Sequence, residues 1–187
     1  MKQTKGNIPI NEQYLNKYAS VREIFDNESN NYDGKINVRT DLDDVNNIDL
    51  KNIKIDDAKK LAVNIFDKYN NKKVFNNNGN LIEVSKSGIE ESVKKIFSNQ
   101  TQRNMLKEHL KVFSDLGDII EHANLVNQAT ELKDRNGINY WNYYFDGLII
   151  DNKTYSLEFD VRSMDSGSNQ YRVQRLELKK KKVDIST

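Results

Sequence analysis

Cysteine is absent from this 187-residue chain, which excludes disulfides, a thiolate nucleophile and cysteine-ligated zinc. Histidine occurs only as His109 and His122, too few for a histidine-rich metal centre. Charge of one sign is lacking as well. Lys and Arg number 29 against 28 Asp and Glu, a net charge of +1. No whole-molecule field therefore draws in nucleic acid or an anionic membrane, and such binding requires a local patch. No window approaches the ~20 apolar residues that cross a bilayer. No apolar stretch follows Met1-Lys2-Gln3-Thr4-Lys5-Gly6 either, so a cytoplasmic location is expected.

The residues present suit a globular fold: 36% are hydrophobic and 30% charged, enough to bury one core. Tyr14, Leu15, Tyr18, Val21, Ile24 and Phe25 recur at helical spacing and predict a short helix over 11–26. Residues 27–34 form a polar loop, and 35–53 carry no clear period. Ala58, Leu61, Ala62, Ile65, Phe66 and Tyr69 make an apolar stripe behind Asp56, which predicts a helix. Asn76-Asn77-Asn78-Gly79-Asn80 is the strongest turn cluster. It divides a mostly helical extension, 1–80, from a main module, 81–180, with a basic tail over 181–187.

The main module begins with a short strand, Leu81-Ile82-Glu83-Val84. Ser85 or Ser87 caps a helix bearing Ile89, Val93, Ile96 and Phe97. Thr101 caps a second, bearing Met105, Leu106, Leu110 and Phe113. Leu125 and Val126 open a strand that fades by Lys133, and Asp134-Arg135-Asn136-Gly137 is a hairpin turn. Residues 138–150 form an aromatic strand. Over 154–164, Tyr155, Leu157, Phe159 and Val161 alternate with Ser156, Glu158, Asp160 and Arg162. In the last strand, 170–179, the apolar phase slips near Gln174-Arg175, which predicts a bulge. Helices followed by strands argue for an α+β fold: a helical extension, then two helices on a four-stranded antiparallel meander.

Ile82-Glu83-Val84-Ser85-Lys86-Ser87-Gly88-Ile89, Leu116-Gly117-Asp118-Ile119-Ile120-Glu121-His122-Ala123, the aromatic strand from Tyr140 to Phe145, and Asp151-Asn152-Lys153-Thr154-Tyr155 occur in an order that carries a likeness. The segment from Leu81 to about Glu177 resembles the third of the large polyvalent-protein-associated domains of phages and conjugative elements. That resemblance implies kinship with RNases of the barnase, EndoU, colicin and RelE group, hence a metal-independent, cofactor-free module that cleaves or binds RNA. The chain departs from such nucleases in having no histidine in its sheet.

Cleavage of RNA by its own 2′-hydroxyl needs charge stabilisation at the phosphate and a group that moves protons. Arg162, Arg172 and Arg175 are candidates for the first, Tyr171 and His122 for the second. Against these stand plainer roles. Arg162 can pair with Glu158 or Asp160 along its strand, and His122 can answer the dipole at a helix end. His109 lies between Glu108 and Leu110 and is expected at the surface. Glu158, Asp160 and Glu177 admit a magnesium reading. Trp141, Tyr143 and Phe145 are expected to pack on the helices, leaving Tyr140 and Tyr144 on the open face. The leading expectation is a mobile-element accessory domain acting on RNA. The alternative is a non-catalytic protein-interaction module of the same fold.

Overall fold

The computed structural model describes residues 36–130, 137–164 and 166–182. The helix expected over 11–26 lies outside them. The described chain runs β1 (Ile36–Asn37), α1 (Asp43–Asn46), α2 (Ile55–Tyr69), β2 (Val74–Asn77), β3 (Asn80–Glu83), α3 (Lys86–Phe97), α4 (Gln100–Arg103), α5 (Leu106–Ser114), α6 (Leu116–His122), β4 (Asn124–Thr130), β5 (Ile138–Ile150), β6 (Lys153–Met164) and β7 (Asn169–Lys180).

The strands join in one curled sheet in the order β1-β5-β6-β7-β3-β2, with β4 also on β5. Strands β4 to β7 form the antiparallel meander read from the sequence. The sheet does not stop there, however, and the four-stranded description is corrected to a mixed sheet. β1 adds in parallel to β5 at Leu148 and Ile149, and β3 adds in parallel to β7 at Asn169 and Gln170. Both additions are only two residue pairs long, too short to leave a period in the sequence.

The expected boundary at residue 80 falls inside a hairpin. β2 and β3 pair across Asn78-Gly79, where φ is +48° at Asn78 and +84° at Gly79. These are the left-handed conformations that Asn and Gly supply in a tight hairpin. Phe75 of β2, α2 and the meander share one hydrophobic core. In that core α3 lies on β7, and α2 packs on α3 and α5.

The helices obey local rules. Ser85 caps α3 by accepting the Gly88 N–H, and Asn99 caps α4 by accepting those of Thr101 and Gln102. Asn77 donates to the carbonyls of Ile120 (2.7 Å) and Ala123 (2.9 Å), which ties the end of α6 to β2.

Cross-strand register decides the faces of the sheet. On the helix side Tyr144 stacks on Phe159, with centroids 5.4 Å apart, and Phe159 meets Tyr171 at 5.9 Å. Tyr144 is thus a core residue, contrary to the expectation that it faces outward. Trp141, Tyr143 and Phe145 form a second cluster with Val126, Ala129 and Ile138. In the pairing register they stand beside Arg162, Asp160 and Glu158, so the aromatic and the charged residues share one face. That face is not open: Glu158 and Asp160 have no exposed surface. Each fully buried aromatic contributes roughly 1.5–3 kcal/mol, while an unpaired buried carboxylate would cost more than that. Lys179 lies 3.5 Å from Glu158 and 3.7 Å from Glu177, so one lysine serves both carboxylates. Among the described residues no group of three or more carboxylate or imidazole side chains converges.

Candidate functional site

The head of α3 is where the sequence's cationic candidates meet. Gly88, in the first helical turn, makes the encounter possible. A Cβ there would lie 2.3 Å from the backbone oxygen of Tyr171, so only glycine lets the helix touch β7 at this point. Glycine in a helix costs about 1 kcal/mol relative to alanine, and close approach is the compensating gain.

Directly after this contact β7 departs from regular pairing. Tyr171 stands opposite Val161 and Leu176 opposite Phe159, which leaves residues 172–175 against Asp160 alone. The bulge expected near Gln174-Arg175 lies here. Bulges re-aim side chains, and Arg172 reaches α3 to donate from Nη1 to Ser87 Oγ at 2.9 Å. Ser87 Oγ also lies 3.0 Å from Ser85 Oγ, the capping hydroxyl.

Arg162 approaches from the neighbouring strand. Its Nε donates to Gln170 Oε1 at 2.9 Å, and its Nη2 donates to the same oxygen. Burial, followed by the charge of Arg172, lowers the Arg162 pKa below the usual arginine value. Two half-buried guanidiniums therefore feel each other beside the amino end of a twelve-residue helix. Neither forms an ion pair with a carboxylate among the described residues. Arg162 does not pair with Glu158 or Asp160, as the plainer sequence reading had it. The helix dipole and the two guanidiniums all favour an anion at this place.

The expected proton-transfer groups are placed elsewhere. Tyr171 is buried in the core, where its hydroxyl lies at hydrogen-bond distance, 3.1 Å, from Ser92 Oγ. Burial raises its pKa well above the usual tyrosine value, the reverse of what a general base needs. His122 ends α6, its Nδ1 2.8 Å from the Asp118 carbonyl. Its charged neighbour is Glu121, which the bond from Lys72 holds below the usual carboxylate range. The side chain of Arg175 lies outside the described residues.

His109 is not the surface residue expected from sequence. It is buried, with Nε2 2.8 Å from Gln102 Oε1. Gln102 also bonds the backbone of Leu178 on β7 through both ends of its amide. Sequence reasoning likewise missed Ser87 and Gln170. The one signal for them was Gly88, a helix-disfavouring residue inside a strong helix, which marks a close contact.

Fold and site together define a mixed α/β domain with two arginines gathered near the head of α3. The family model of large polyvalent protein-associated domain 3 matches residues 53–171, more than half of the chain. The protein belongs to that family, an accessory domain of polyvalent proteins. No curated protein and no solved structure matches the chain. Among the described residues no helix is long and apolar enough to cross a membrane.

Proposed function

We propose that this domain serves a polyvalent protein of a mobile element by binding RNA through its phosphate backbone, without cleaving it. The observation that carries this reading is the convergence of Arg162 and Arg172 at the head of α3, neither ion-paired among the described residues, with the candidate proton carriers Tyr171 and His122 placed in the core and at the end of α6. Arginine forks match phosphate oxygens in geometry and charge. A strand held there is positioned, and Glu91, the carboxylate that feels Arg172, is held by its bond from Lys94 below the usual carboxylate range, which makes it a weak acceptor for a 2′-hydroxyl proton.

The test is fluorescence polarisation of an end-labelled single-stranded RNA, with the same samples run on a denaturing gel, with and without EDTA. Binding that weakens with salt and leaves the RNA intact supports the proposal. EDTA-resistant cleavage would overturn it in favour of a nuclease, and absence of salt-sensitive binding would overturn it altogether. A second reading, docking of a protein, is favoured by Val74 and Leu81. They are exposed by 44% and 62% on one face of the β2–β3 hairpin, at the edge of the sheet. If no RNA binds, that hairpin is the surface to probe.

A further inference from the structure

A second cationic place lies at the other end of α3, about 18 Å along the helix at 1.5 Å per residue. There the loop bearing Leu50 and Lys51 faces α4 and the start of α5 across a cleft of about 580 Å³. A separate cleft of about 380 Å³ is mixed in charge and is lined by Arg39, Lys72, Asp115 and Asp118 among others. The larger cleft has no acidic residue in its lining. Leu50 and the buried Leu106 make its apolar floor, and Lys51, Arg103 and Lys107 its rim.

Three features mark this rim. Lys51, Arg103 and Lys107 form no ion pair with a carboxylate among the described residues. Arg103 is held in place by stacking, its guanidinium 4.8 Å from the centre of the Phe97 ring. Finally, α5 begins at Leu106 without a side-chain cap. Lys107 thus sits beside Glu108 in a first turn whose dipole favours an anion over a cation. An anion held there pairs with these cations and accepts from the uncapped turn.

The remaining groups suit a base. Gln100 and Asn104 also line the cleft, and Gln100 Nε2 donates to Asn104 Oδ1 at 2.8 Å, so the Gln100 oxygen remains as an acceptor and the Asn104 amide as a donor. An apolar floor, a few convergent polar groups and this volume are the attributes of a small-ligand site.

We infer that this cleft binds a nucleoside phosphate, with the base over Leu50 and Leu106 and the phosphate on Lys51, Arg103 and Lys107. The unit is supplied either as a free nucleotide or as one residue of an RNA strand. The site shares no residue with the α3 head, so each stands or falls separately.

The test is chemical-shift mapping and calorimetry on the full chain with uridine monophosphate, orthophosphate and a short single-stranded RNA. Uridine monophosphate is expected to shift the amides of residues 100–107. Arg103→Ala and Lys107→Ala, both at exposed positions, are each expected to weaken it about tenfold, the effect of one lost charge-assisted hydrogen bond. Arg172→Ala is expected to leave it unchanged. RNA that binds this cleft far more tightly than the mononucleotide identifies the strand as the source, and equal affinity identifies the free nucleotide. The inference is overturned if uridine monophosphate shifts none of these amides, if orthophosphate binds as tightly as the nucleotide, or if Lys107→Glu binds it as the wild type does.

Discussion

Acid should unfold this domain through His109, and the hydrogen bonds around it say why. The Leu178 N–H can only donate, so the oxygen of the Gln102 amide must face it, at 2.8 Å. The Gln102 Nε2 then donates to the Leu178 carbonyl at 3.1 Å. His109 Nε2 meets the same Gln102 oxygen and must therefore donate, which fixes the neutral Nε2–H tautomer. A second proton could enter only at Nδ1, in a buried place. Burial pushes the pKa from the ordinary 6.5 down to about 3. Because the folded-state pKa is depressed, the unfolded chain binds the extra proton first. The stabilisation is complete above about pH 6.5 and is lost as pH falls toward 3. At about 1.36 kcal/mol per unit, the loss between neutrality and about pH 4 is on the order of 3 kcal/mol. The assay is urea denaturation followed by the fluorescence of the buried Trp141, at several pH values, for wild type and His109→Gln. The variant keeps an N–H donor for Gln102 and removes the titration. Its stability is expected to start lower and to converge on the wild type by about 3 kcal/mol as pH falls to about 4. Parallel curves would refute the linkage.

Three further outcomes follow from the same geometry. Gly88→Ala should destabilise the fold by about 1–3 kcal/mol through overpacking against the Tyr171 backbone, read as a lower Tm, and should also weaken RNA binding by displacing the head of α3. Tyr171→Phe should cost only about 1 kcal/mol, because Ser92 Oγ keeps its 3.0 Å bond to the Gly88 carbonyl; RNA affinity should be unchanged, and a large loss would contradict a purely structural Tyr171. Lys111 is buried and pairs at 2.8 Å with the half-exposed Asp151. Asp151→Asn strands a buried cation, so chemical denaturation should show it costing more than Lys111→Met, which leaves a carboxylate that water can reach.

Much of the fold was legible where one rule acts alone. The cap at Ser85, the stripe of α2, the strand at Ile138–Ile150 and the bulge in β7 each follow from local spacing. The parallel additions of β1 and β3 were not legible, since two residue pairs leave no pattern. Burial of Glu158, Asp160 and His109 was not legible either. Alternation says which residues share a face but not whether that face is covered, and charged residues are usually exposed. The candidate site was half legible. Arg162 and Arg172 converge, but Tyr171 pairs with Val161 and shares its helix-facing side of the sheet.

The most direct measurement of the central claim is the salt dependence of RNA affinity in wild type and Arg172→Ala. Plotted as the logarithm of affinity against the logarithm of salt concentration, wild-type binding should fall linearly. The variant's slope should be shallower by about 0.7, the share of one phosphate contact to a single strand. Identical slopes would show that Arg172 touches no phosphate and would contradict the account of the α3 head.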